Sequence, residues 1–181
     1  STMALAILGS YGYTNVTSLK GGFGGWAEGG YPVVGGSMAA GGESVADTPI
    51  NMNFQVMLEN MVAYNTIKAD GLMEELVSDT PPFLLDVRTT GEVEEQGHIT
   101  GAAHMPLENL TQALNMLPGA DAPIVVYCGS GWRATIAMTS LHGMGWTNVR
   151  ALKTSFADWV AAGNPVTEGL PGPFPANAMA Y

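Results

Sequence analysis

Residues 1–33, STMALAILGSYGYTNVTSLKGGFGGWAEGGYPV, return as residues 134–166, ATIAMTSLHGMGWTNVRALKTSFADWVAAGNPV. Fourteen of the thirty-three positions are identical at a constant offset of 133, and no gap is needed. Self-similarity at this length marks two copies of one supersecondary unit. The pattern within each copy predicts helix, strand, helix. In the second copy the unit follows directly on Arg133, whereas in the first nothing stands before Ser1. A strand without neighbours leaves its backbone groups and its apolar face unpaired. Residues 1–33 are therefore expected to be the C-terminal half of a first domain, with a complete second domain after them. The front half of that first domain is cleaved, left out, or supplied by another chain, and the sequence leaves these alternatives open.

Residues 34–53, rich in Gly, Ser and Ala, read as a linker. Beyond it, Phe54, Met57, Leu58, Met61 and Val62 make one apolar helical stripe, which is assigned to packing. The complete domain is expected over 54–168, with a tail over 169–181. Strands are predicted at 66–67, 83–88, 102–107, 123–128 and 148–152. Helices are predicted from about Asp70, over 107–117 up to Pro118-Gly119, from Arg133 to the glycines at 143 and 145, and over 155–163. Continuous apolar strands alternating with helices define an α/β fold, a doubly wound parallel sheet with helices on both faces.

Six Lys and Arg against sixteen Asp and Glu leave a net charge of -10. Counterion release on nucleic acid needs clustered cations, so nucleic acid is excluded as a partner, and an anionic membrane equally. No apolar run reaches the roughly 18–20 residues of a membrane span, and the chain reads as soluble. Its compartment stays open between the cytoplasm and an exported, periplasmic location after signal removal. His98, His104 and His142 lack the short spacings of a metal site, so no metal is expected.

The chemistry concentrates in PIVVYCGSGWR, residues 123–133, which holds the one cysteine, Cys128. In a parallel α/β sheet, ligands bind beyond the carboxyl ends of the strands. Cys128 stands there, and Gly129, Ser130, Gly131 and Trp132 lead into the helix at Arg133. Two glycines allow the backbone to curl so that several N–H groups face inward at a helix N-terminus, forming an anion cradle. Such surroundings favour the thiolate, which is the nucleophilic form of cysteine. A nucleophile of this kind can take a sulfur atom from a donor, hold it as a persulfide and pass it on.

These residues resemble the rhodanese (sulfurtransferase) family. CGSGWR, 128–133, has the length of the family's active-site loop. LLDVR, 84–88, and GHITGAAHMPL, 97–107, are similar to two further signatures, and Glu92 stands where the family usually carries a glutamate. The resemblance spans about 66–166 and, for the matching end of a tandem partner domain, 1–33. It implies a rhodanese-like fold and sulfur transfer through Cys128, with Gly129, Ser130, Gly131, Trp132 and Arg133 binding substrate. Arg133 would hold an oxyanion such as the sulfonate end of thiosulfate. Trp132 departs from the family, and its bulk either lines a docking surface for the acceptor or narrows access for small donors. Asp86 and Arg88 are expected to tie the sheet edge to its loops, and His98 to pin a turn. Glu92, Glu94 and Glu95 read as a solvated helix face.

No cofactor is implied. The expected partners are a thiosulfate or persulfide donor, a thiol or cyanide acceptor, and an N-terminal fragment completing 1–33. Two other readings keep the fold: a cysteine phosphatase or arsenate reductase, and a non-catalytic sulfur carrier or binding module. The related phosphatases use a loop one residue longer, because phosphate needs a wider ring of amides, so the spacing from Cys128 to Arg133 favours a single sulfur.

Overall fold

A computed structural model describes residues 1–33, 35 and 48–174. Five parallel strands form its main sheet, in the order β1-β6-β5-β2-β4. They are β1 (Thr66–Ile67), β2 (Phe83–Asp86), β4 (Ala103–His104), β5 (Ile124–Tyr127) and β6 (Val149–Leu152). The most β-branched run in the chain thus occupies the centre. In register, β5 pairs Ile124 with Phe83 on one side and with Val149 on the other.

Side chains alternate across the pleat, and both faces of β5 are covered. Val126 and Cys128 fall in one apolar cluster with Ala134, Ala137, Met138 and Leu141 of α6 (Trp132–Gly143). Val125 and Tyr127 fall in the other, with Leu72 of α4 (Ala69–Leu76) and Phe156 and Trp159 of α7 (Phe156–Ala161). This two-sided burial is why the strands read as unbroken apolar runs. Helices α1 (Thr2–Ser10) and α3 (Pro49–Asn60) pack on the outer side of α6. Among the described residues, no helix is long and apolar enough to cross a membrane.

Three expectations are corrected. The expected linker ends earlier than residue 53: α3 begins at Pro49, where Thr48 caps it by accepting from Asn51 N–H at 3.4 Å. The rest of it, apart from Gly35 and Thr48, lies outside the described residues. The helix over 107–117 is instead two 3₁₀ turns, Leu107–Gln112 and Leu114–Met116, separated by Ala113 in a non-helical conformation. At the end of the domain, β7 (Val166–Thr167) pairs antiparallel with β3 (His98–Ile99), and the start of the tail stays on the domain, with His98 Nδ1 bonded to the Gly169 carbonyl and Phe174 stacked on Phe83; residues 175–181 lie outside the described set. Finally, the repeated unit forms α1 and α2 (Gly22–Glu28), but residues 13–20 between them join no ladder. Their counterpart β6 is held between β1 and β5, and residues 13–20 have neither neighbour.

The two copies therefore differ in burial while keeping their local bonds. Trp26 donates from Nε1 to the Pro32 carbonyl at 3.0 Å, and Trp159 donates to that of Pro165 at 3.1 Å. Yet Trp159 is 0% exposed and Trp26 is 38% exposed. Trp159→Ala should lower stability by about 3–5 kcal/mol, because it empties a closed core site. Trp26→Ala should cost about 1 kcal/mol or less. Urea unfolding of the two variants checks the difference, and equal losses would contradict it.

Candidate active site

Cys128 directly follows the central strand, on the face that α6 covers, so the alternation of the strand carries its side chain toward the helix N-terminus. Gly131 is the N-cap of α6 and has φ 86, a left-handed conformation that glycine adopts without penalty. That turn swings the chain back over the sulfur. The N–H of Gly131 donates to Sγ at 3.1 Å and the N–H of Ala134 at 3.4 Å. Both belong to the first turn of α6, whose N–H groups have no partner within the helix. The loop is anchored on its other side by Phe156 N–H, which donates to the Gly129 carbonyl at 3.2 Å.

Cys128 is 1% exposed, and its cover includes the loop itself. A reactant must therefore present a slender terminal atom end-on. Ser130 and Trp132, the latter 43% exposed, stand on the outside of the loop.

Arg133 is the next residue of α6, and it is already engaged. Its Nη1 donates to Glu92 Oε2 at 2.6 Å and its Nη2 to Oε1 at 2.7 Å, the bidentate fork that suits a guanidinium and a carboxylate. Glu92 projects from α5 (Thr90–Gln96), where it also closes a capping box with Thr89. The Arg133 hydrogen bonds, reinforced by those of Thr89, lower the Glu92 carboxyl to about 2 against the opposing effect of burial. The same carboxylate raises Arg133 above the ordinary arginine range. This pair lies against the loop: a methyl group on Gly129 would sit 3.4 Å from Arg133 Nη2 and 3.5 Å from Glu92 Oε1.

Of the residues singled out in the sequence, Cys128, Gly129, Ser130, Gly131, Trp132 and Arg133 form one continuous loop and helix start. Two participants were missed. Ala134 supplies the second sulfur donor, which a count of six residues from the cysteine does not include. Glu92 is the partner of Arg133 rather than one of three solvated acids. Its spacing from Thr89 signals a capping box, but a pairing across 41 residues leaves no local trace.

The other polar residues hold the frame. Asp86 and Arg88 form a buried pair at 2.6 Å, and Arg88 Nη2 also donates to the Gly97 carbonyl at 2.6 Å. Each histidine bonds a main-chain carbonyl: His98 to Gly169 at 2.8 Å, His104 to Arg88 at 2.9 Å, His142 to Val149 at 3.0 Å. Burial lowers the His142 pKa and favours its neutral form.

A parallel α/β domain that folds the turn after its central strand around a cysteine sulfur defines a class of single-cysteine loop proteins. Within that class the family is specific. The profile of the Rhodanese-like domain matches residues 69–162, more than half of the chain, and the chain belongs to that family. A protein named sulfurtransferase from Allochromatium vinosum is 29% identical over 102 residues, covering 56% of this chain and 94% of its own. Thiosulfate sulfurtransferase YnjE of Escherichia coli is 25% identical over 187 residues, which is 90% of this chain and 42% of that protein. The crystal structure of the Alr3790 protein from Anabaena sp. superposes with a TM-score of 0.52 at 31% identity, covering 57% of this chain and 80% of that one.

Proposed function

We propose that this chain is a sulfurtransferase that carries sulfane sulfur on Cys128, from thiosulfate or a persulfide donor to a thiophilic acceptor such as a thiol or cyanide. The observation that carries the reading is the pair of N–H groups, from Gly131 and Ala134, aimed at one buried sulfur. The thiolate attacks the donor's terminal sulfur and a new S–S bond forms. The old bond breaks with its electron pair on the leaving group, which is sulfite from thiosulfate or a thiolate from a persulfide. The outer sulfur of the Cys128 persulfide then carries the negative charge, and main-chain N–H groups at a helix N-terminus suit such an anion. The acceptor attacks that outer sulfur and regenerates the Cys128 thiolate.

Residues 1–33 are read, on the same footing, as the C-terminal half of a second rhodanese-like unit. Support comes from the ungapped repeat and from the tryptophan-to-proline hydrogen bond kept in both copies. The catalytic reading is tested by mass spectrometry before and after a sulfane donor is added. The expected result is a gain of about 32 Da, located to the peptide containing Cys128 and removed by cyanide. An unchanged mass with thiosulfate and with an organic donor alike would overturn it.

A further inference from the structure

We infer that Glu92 and Trp132 together set donor selectivity: the mouth discriminates against the dianion thiosulfate and favours sulfane donors with an organic body and a single negative charge. This rests on the sulfur-transfer reading above and names its substrate class.

Recognition of a sulfonate needs a positive group with free donors near the sulfur. Gly129, Ser130, Gly131 and Trp132 carry none. Arg133 stands beside Cys128, but each of its terminal nitrogens gives one N–H to an oxygen of Glu92, and the carboxylate cancels its charge, so the pair presents no net charge. Arg88, at the end of β2, is buried and committed to Asp86 and the Gly97 carbonyl. Lys68 and Lys153 leave the same end of the sheet as exposed side chains, two strands and one strand from β5. A chain of net charge -10 adds an unfavourable field for a dianion.

The mouth offers an aromatic surface instead. Trp132 is 43% exposed at the first position of α6, four residues after Cys128 and close in sequence to the exposed Ser130. An apolar or aromatic donor body gains by covering that ring, while its terminal sulfur enters the loop end-on. Benzenethiosulfonate has this form. It differs from thiosulfate by a phenyl ring in place of one anionic oxygen. The Cys128 thiolate takes its terminal sulfur, the S–S bond of the donor breaks, and benzenesulfinate departs with the electron pair. Charge balances, because the outer persulfide sulfur keeps the donor's negative charge.

The test is the ratio of kcat/KM for benzenethiosulfonate to that for thiosulfate, with cyanide as acceptor, in the full chain and three variants. The parent ratio should exceed about 10, the value of one charge-assisted hydrogen bond withheld from thiosulfate. Glu92→Ala and the isosteric Glu92→Gln should each lower the ratio about tenfold, by freeing the Arg133 charge for the dianion. Trp132→Ala should lower the ratio from the other side. A mere loss of loop order would reduce both donors together and leave the ratio where it was, which would overturn the inference, as would a parent ratio below about 10. If neither donor places a sulfur on Cys128, the sulfur-transfer reading itself has failed, and that outcome is distinct from either ratio.

Discussion

Cys128→Ser should fold as the parent does and transfer sulfur at least about a thousandfold more slowly. The substitution is chosen because it separates shape from reactivity. A serine hydroxyl accepts the N–H groups of Gly131 and Ala134 as the sulfur does, at 3.1 and 3.4 Å in the parent. Its smaller volume within the α6-facing cluster should cost about 1 kcal/mol, a modest shift in a thermal unfolding midpoint. The nucleophile, however, is gone: an alcohol at neutral pH is overwhelmingly protonated and forms no stable bond to sulfane sulfur. Thiocyanate production from a sulfane donor and cyanide, followed beside thermal unfolding, reads both quantities. Retention of more than a tenth of the parent rate would remove Cys128 as the carrier. Because it is the one cysteine in the chain, no other thiol could substitute for it.

The sheet was legible because its strands are buried on both sides. Ile124 to Tyr127 and Phe83 to Asp86 advertise themselves as apolar runs, and only a covered parallel sheet uses such runs side by side. What escaped was the short and the non-local. Strands β3 and β7 contain two residues each and pair His98 with Thr167 across most of the domain. Length alone does not explain this, since β1 is as short and was predicted at 66–67; β3 and β7 exist through a pairing between residues 69 apart in the chain. The segment 107–117 has helical spacing, yet it closes i to i+3 bonds, such as Asn109 N–H to the Pro106 carbonyl at 2.8 Å. There the path from β4 to β5 overrides propensity. Residues 13–20 make the complementary point. They repeat the sequence around β6 and still do not pair, because a strand is a property of its neighbours as well as of its residues.

The site divides in the same way. The run from Cys128 to Arg133 was readable, since a strand end, two glycines and a helix start follow one another along the chain, while the Ala134 N–H one residue further on was not. The Glu92–Arg133 pair was not, because it joins α5 to α6 through space. The pairing matters chemically. Arg133 read alone is an oxyanion receptor, and Arg133 read with Glu92 is half of a neutral clasp against the loop. The difference decides which donors the mouth admits.

Arg88→Met is expected to weaken the fold by about 3–5 kcal/mol, as much as emptying the Trp159 site. Both Asp86 and Arg88 are fully buried, and their closest contact is 2.6 Å. The guanidinium also lies over Phe156 at 3.8 Å from the ring centroid, beneath α7, and holds the Gly97 carbonyl from which β3 departs. Methionine fills comparable space but leaves the Asp86 carboxylate inside the protein without its cation, and an unpaired buried charge is the costly species. Removing both charges should therefore cost less than removing one. Asp86→Asn with Arg88→Met should recover part of the loss, and a double-mutant cycle by urea unfolding measures the coupling. Simple additivity would show that the pair contributes no interaction of its own. The effect should also reach the active site, because Thr89, the next residue, caps the helix that carries Glu92. Loosening that cap slackens the clasp on Arg133, so activity in Arg88→Met should fall at temperatures where most of the protein is still folded.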